Sequence, residues 1–552
     1  MMKKRFRVMA ALMAMAVMAG SLTGCGGNKN APAETGSASL GTAAEGNSGG
    51  AAGSSEINAA KPAEGMALKE DIVIGMQSKH TTVDAMDASN TQHNYMYRMV
   101  YDTPVHFNNT TKELEPSLAE EWSTEDGGKT YIFKLRDGVK FHNGEILKAS
   151  DFVFTFNRME GTTSCNGVFL KVESVEAVDD LTVKMTLVDP NLDWPYMMTL
   201  PTASIMNEKA VTDDPEKGPA VGTGPWMVDS YEFGNYTKLV AFEDSWRGAP
   251  NAKSFTFRYI PEDSARLIAL QNGEIDICQT PAAIELGRIE EDPALDLISY
   301  KGGSLTYMAF NTQKDPAKDE NLRKAVAHAI DIDSIIAVAA EGRGEKATSF
   351  WGWDEFGFYD CGGYTRDLDK AKECLEAAGY SDSDGDGIVD KDGENLSLTI
   401  SIANGSSTAV SETLQDMWKQ IGVDVQIEML ENVSDKRASG DFDMLVSPNW
   451  QTVNAGDGQK YLMNRWSDGG SDNYSGYHSD EFQSVLDKLD AAFTQEDRVS
   501  AFVEAQQILA DDAPAIWMYA NDNVTLVNSK LENVTVFPID YYLVTNKWTL
   551  AE

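Results

Sequence analysis

Apolar and polar positions follow two periods along this chain, and the change from one to the other divides it. Residues 71–76 alternate as a half-buried strand does, and 94–101 space their apolar residues as a helix. Residues 129–136 return to strand alternation, followed by turns at Asp137-Gly138 and Asn143-Gly144 around a continuation at 139–142. Ser150 is placed to cap a helix over 151–159, and 172–178 with 181–188 read as a hairpin about Asp179-Asp180. Strand periods recur at 237–243 and 254–260, and a short helix at 266–271 ends at Asn272-Gly273. Beyond that the texture changes. Helical spacing at 322–340, 368–378, 409–421, 481–493 and 497–511 alternates with strand spacing at 396–403, 423–430 and 442–447. Asp367 and Gly379 bracket one of these helices as caps, and the alternation predicts an α/β lobe on a largely parallel sheet.

The N-terminus carries neither period. Lys3, Lys4, Arg5 and Arg7 precede an apolar run over 8–19 and a small-residue site, the layout of a signal peptide covering 1–24. The run is short of the about 20 apolar residues that a permanent span needs. From 26 to about 65 the chain is Gly, Ala, Ser, Asn and Glu, which cannot bury enough surface to offset the entropy of ordering, so 25–67 reads as a flexible tether. What remains is long enough for two or three lobes.

Charge narrows the choice of partners: 86 acidic against 46 basic residues give a formal charge of −40, which repels phosphate backbones and excludes a nucleic-acid partner. Six scattered histidines and no nucleophile with a base argue against an enzyme. Besides Cys25, four cysteines (Cys165, Cys278, Cys361 and Cys374) permit two disulfides in any of three pairings, or four thiols behaving as small apolar residues.

Several blocks go beyond pattern. Leu118-Ala119-Glu120-Glu121-Trp122 leads to Asp126-Gly127-Gly128-Lys129-Thr130-Tyr131 and to the run from Leu135 through Phe141-His142-Asn143-Gly144. Val221-Gly222-Thr223-Gly224-Pro225, Gly273-Glu274-Ile275-Asp276, Leu322-Arg323-Lys324-Ala325-Val326 and Asp512-Ala513-Pro514 follow in order. Together they resemble the family 5 extracellular solute-binding proteins, the oligopeptide, dipeptide and nickel receptors of ABC importers. Leu22-Thr23-Gly24-Cys25 likewise resembles a lipobox, with Cys25 the lipidated residue. The resemblance implies a periplasmic-binding-protein-like α/β fold of class II, the Venus-flytrap type, with two α/β lobes and an extra small sheet-rich lobe. Lobe I would comprise 68–107, 196–300 and 521–552, lobe II 108–195 and lobe III 301–520. It further implies a monomer held outside the cell membrane by its lipid, or in the periplasm, that closes on a peptide and hands it to permease subunits with their ATPases. An oligosaccharide, a nickel chelate or another small solute is the alternative ligand, and a surface sensor without transport the alternative role.

For the site, the resemblance points to Ser89-Asn90-Thr91 as an edge for the peptide backbone. It points also to the strand ending in Asn449-Trp450, where Trp450 either plates the ligand or belongs to the core. Well-known oligopeptide receptors carry an aspartate three residues later to pair with the peptide's amino terminus; here that residue is Val453, with Asp457 further along the loop. Tyr307 matches a cleft tyrosine, and Arg437 either meets a peptide carboxylate or is a solvated helix charge. Trp351, Trp353, Phe356, Phe358 and Tyr359 form an aromatic segment for cleft or rim. Asp382, Asp384, Asp386 and Asp390 around Gly385 and Gly387 resemble the start of a calcium loop, although the twelfth position is Gly393. They read either as a structural calcium site or as an acidic turn.

Overall fold

The computed structural model describes residues 69–550 apart from 88–92, 109–110, 112, 125, 163–164, 280, 282, 352–356, 405–406, 452–457, 471, 493, 533 and 535–548. Its main sheet has eleven strands, organised around two long antiparallel ones, Leu295–Phe310 and Ala515–Asn528. On one side of this pair, Asp71–Met76 lies between Ser254–Tyr259 and Ile277–Gln279, parallel to both. On the other, Ser397–Ala403 lies parallel to both Asp424–Leu430 and Met444–Gln451. Each wing is thus a parallel trio, and the predicted largely parallel sheet is corrected to a mixed one in which the long antiparallel pair joins the trios.

Those two strands were not visible in the pattern. Leu295–Phe310 contains Gly302-Gly303, which reads as a breaker, and in the fold the register with Ala515–Asn528 slips between Lys301 and Ser304. A second slip falls between Thr306 and Tyr307. A bulge leaves backbone unpaired while letting the strand continue with extra twist, so turn chemistry is tolerated inside it.

Four apolar clusters follow the same division. Two of them, one built around Ile72, Ile74 and Tyr131 and one around Leu270 and Ile277's neighbour Cys278, draw on residues outside 301–520. The other two draw only on residues within it, one on each face of the sheet: Leu322, Ile335, Leu375 and Trp418 on one, Val485, Phe502 and Leu509 on the other. The four-stranded antiparallel sheet of Ala119–Thr124, Thr130–Leu135, Thr182–Leu187 and Val172–Ala177 contributes Phe133, Val183 and Met185 to the same cluster as Ile72.

Local departures have local causes. The helix expected over 322–340 is two, Glu320–His328 and Ile332–Ala339, because Asp331 leaves helical geometry and accepts a hydrogen bond from Ser334 N–H at 3.3 Å. The helix Ala149–Arg158 begins before Ser150, with the Asp151 carboxylate accepting from Lys148 N–H at 3.0 Å. Residues 139–142 are no strand; they form an isolated bridge, Lys140 to Ile146, and His142 N–H donates to Gly222 O at 2.9 Å. All four described cysteines are free thiols, three of them buried, so the apolar alternative holds in this structure.

Candidate ligand cleft

The signature blocks converge at one seam. Gly222 and Gly224 press so closely on the carbonyls of Val100 and Met99 that a Cβ on either would overlap backbone. Between them Thr223 donates its hydroxyl to Asp102 at 2.9 Å, and Asp102 also receives Trp246 Nε1–H at 2.8 Å and Arg247 at 2.9 Å. The His142 ring closes the arrangement: Gly222 N–H donates to its Nδ1 at 3.2 Å, and its Nε2–H donates to Gly224 O at 2.9 Å. One acceptor and one donor nitrogen define a neutral imidazole, and burial pushes its pKa down to about 4, offset in part by the Gly224 carbonyl and Asp102. These residues weld 108–195 to its neighbours.

The other seam is the pair of crossing strands. Met444–Gln451 runs antiparallel to Leu295–Phe310, with Trp450 opposite Leu305 and Ser447 opposite Tyr307. Asn449 and Trp450 therefore stand at the strand end where Lys301, Ser304 and Thr306 lose register, next to the point where the chain passes between the two sets of cores. Asn521, on the partner strand, donates to Thr306 Oγ1 across this point at 2.9 Å.

The remaining expected residues scatter. Tyr307 is 4 % exposed and packs in the cluster of Phe350, Trp517 and Phe502. Arg437 lies near the opposite end of Met444–Gln451, its guanidinium 4.9 Å from the centre of the Tyr474 ring, with Arg465 at 5.6 Å from the same ring. Six residues of strand, at about 3.3 Å each, separate Met444 at that end from Trp450, so Arg437 and Trp450 lie near opposite ends of it. Trp351 is buried against Tyr461 and Phe502, whereas Tyr359 is exposed, which makes this part of the aromatic segment a rim packed on the core. Cys25, Ser89, Asn90, Thr91, Trp353, Phe356 and Asp457 lie outside the described residues.

The acidic loop divides. Carboxylate oxygens of Asp382, Asp384 and Asp386 lie within 4.8 Å of one another, all exposed. Asp390 is drawn away: it is buried and accepts from Ser383 N–H and Oγ–H, each at 2.8 Å, which hold its carboxyl below the usual range. It is removed from the set of candidate ligands.

Pattern reading also missed a histidine contact. The His80 and His93 rings lie 5.6 Å apart edge to face, with Thr81 N–H donating to His93 Nε2 at 3.0 Å. A spacing of thirteen residues across irregular chain carries no periodic signal that would have shown it. An open hollow of about 580 Å³ lies between Ile332–Ala339 and the edge strand Gly344–Lys346, lined by Asp333, Ile336, Gly342, Glu345 and Lys346 among others. It holds none of the expected ligand residues.

Residues 113–473 match the model of the bacterial extracellular solute-binding proteins, family 5 Middle. The chain belongs to family 5. It is 27% identical over 480 residues to the dipeptide-binding protein of Escherichia coli (strain K12), covering 80% of this chain and 87% of that protein. It is also 27% identical to the oligopeptide-binding protein AppA of Bacillus subtilis (strain 168), over 100% of both chains. Among solved structures, the ABC transporter substrate binding protein CtaP of Listeria monocytogenes superposes with a TM-score of 0.77 at 26% identity, over 88% of this chain and 100% of that one. The fold is the periplasmic-binding-protein fold, and family 5 is a family of binding proteins rather than enzymes. Among the described residues no helix is long and apolar enough to cross a membrane.

Proposed function

We propose that this protein captures peptides outside the cell in the cleft beside Trp450 and delivers them to the permease of an ABC importer, held to the membrane by a lipid on Cys25. The observation that carries this reading is the bulged pair of crossing strands, where two sets of independently packed cores are joined by few covalent passages. Two rigid bodies on a two-strand joint can close over a guest by rotating about it. Peptide is the favoured guest because two relatives that each cover most of this chain are named for peptides. In this reading Ser89, Asn90 and Thr91 offer backbone partners, Asn449 and Trp450 a wall, and Asp457 a charge for the peptide's ammonium group. Asp382, Asp384 and Asp386 are kept as a structural calcium set, tested by calorimetric titration with calcium and with magnesium.

Native mass spectrometry of the purified protein, followed by thermal shift against peptides of two to nine residues, sugars and nickel, tests the assignment. A ligand at a hundredfold excess over its Kd should stabilise the fold by about 2.7 kcal/mol. Trp450→Ala should weaken that ligand about tenfold or more while leaving the unliganded melting temperature within a few degrees, since aromatic plates dominate contact energy. Stabilisation by sugars or nickel and by no peptide would replace the peptide reading.

A further inference from the structure

Among the described ion pairs, two join residues 301–520 to the rest of the protein: Arg498 to Asp193 at 2.6 Å and Arg343 to Glu290 at 2.6 Å. They differ in leverage. Gly344 pairs with Asn521 on the crossing strand and Glu290 lies just before Leu295, so Arg343–Glu290 sits at the joint itself. Arg498 is in the first turn of Gln495–Asp512, a helix of eighteen residues that precedes Ala515–Asn528.

We propose that Arg498 and Asp193 form a latch that holds the 301–520 body against the small four-stranded sheet and biases the joint toward closure. The proposal rests on the hinge reading above but not on the identity of the guest. Both ends are fixed to rigid bodies. Asp193 follows Asn191, whose backbone N–H donates to Gly128 O at 3.0 Å and whose carbonyl accepts Tyr131 Oη–H at 2.7 Å, tying the loop to the small sheet. Arg498 rides on the helix that packs Ala501, Phe502 and Ala505 into its core.

The placement of Arg498 has no explanation within its own helix. A cation near a helix N-terminus opposes the macrodipole, which Glu496 and Asp497 in the same region satisfy. Its side chain is nevertheless only 11% exposed, with Asp193 at 28%, so the pair is poorly screened. In a chain of 86 acidic and 46 basic residues the facing bodies repel on average, and a single arginine aimed across the gap reverses that locally. Opening separates the pair and rehydrates both charges; closing restores it, shifting the population by the differential interaction alone.

Pulsed electron paramagnetic resonance between spin labels at Leu170→Cys and Met463→Cys, both exposed, in a Cys25→Ser, Cys361→Ser background reads the separation of the two bodies. The unsubstituted protein should show a short-distance class whose ratio to the long one falls at least threefold in Arg498→Gln and in Asp193→Asn. The swapped pair Arg498→Asp with Asp193→Arg should recover it. Superposable distributions in all four proteins, or a parent without a short class, would overturn the latch. Distances that answer to the substitutions but not to a mixture of synthetic peptides of two to nine residues would keep the latch and remove the peptide reading.

Discussion

The seam around residues 108–195 and the seam around 301–520 are built from different materials. At the first, one apolar cluster runs through both sides, Gly222 and Gly224 lie against the backbone of Met99 and Val100, and Arg158 grips both carboxylate oxygens of Asp84 at 3.0 and 2.5 Å. At the second, no apolar cluster crosses among the described residues; what joins the two sides there is the pair of bulged strands and two ion pairs. Shared apolar packing resists any relative motion, since separation exposes area at about 25 cal/mol per Å². Ion pairs and strands with local slips cost little to rearrange. On the hinge reading proposed above, the small sheet would move with its neighbours as one body, and the joint would lie where Lys301, Ser304, Thr306 and Asn521 meet.

The largest effect that would break this comparison is at the weld. Gly222→Ala places a methyl group into the carbonyl of Val100, on backbone with no room to retreat, and should lower the stability measured by urea unfolding by about 3 kcal/mol. Because the seam is shared, loss should come as one cooperative transition for all residues outside 301–520. Early, separate melting of the small sheet would show that it is an independent unit.

His142 gives the next largest effect. Its pKa is about 4 in the folded protein against an ordinary 6.5, so between those values the unfolded chain binds a proton that the fold refuses. The stabilisation is complete above pH 6.5 and is lost as pH falls from 6.5 toward 4. His142→Gln removes this dependence, so the difference in unfolding free energy between parent and variant should shrink by about 2 kcal/mol from pH 7.5 to pH 4.5. A constant difference across that range would mean that the ring titrates freely and does not pin the seam.

This division explains what could be read from the residues alone. Where period and partner agree, reading was accurate: Asp71–Met76 alternates and lies between two strands, and 172–178 with 181–188 forms its hairpin. The signature glycines were legible as scaffold because crowding forbids any side chain there. The joint was not, since its strands carry Gly302-Gly303 and Asn521-Asp522-Asn523, turn residues that a bulged strand accepts only when long-range pairing holds it. The burial of Tyr307 was not legible for a related reason: alternation assigns a residue to a face, but which face meets solvent depends on the helices Asp480–Ala491 and Gln495–Asp512 far along the chain. Nor was the position of Arg437 legible, because the end of Met444–Gln451 it lies near is fixed by pairing rather than by sequence distance.

The smallest expected effect sharpens the contrast inside the seam around residues 301–520. Arg343 and Glu290 are 24% and 48% exposed, in contrast to the more buried Arg498 and Asp193, and exposed pairs contribute well under about 1 kcal/mol. Being at the joint, Arg343–Glu290 also has little lever arm, so a modest rotation lengthens it far less than a pair at the rim. Arg343→Gln should change the unfolding free energy by less than about 0.5 kcal/mol and leave the distance classes between the labelled positions close to those of the parent. If Arg343→Gln shifts those classes as much as Arg498→Gln does, closure is governed by the total charge across the seam, and position relative to the crossing strands has no part in it.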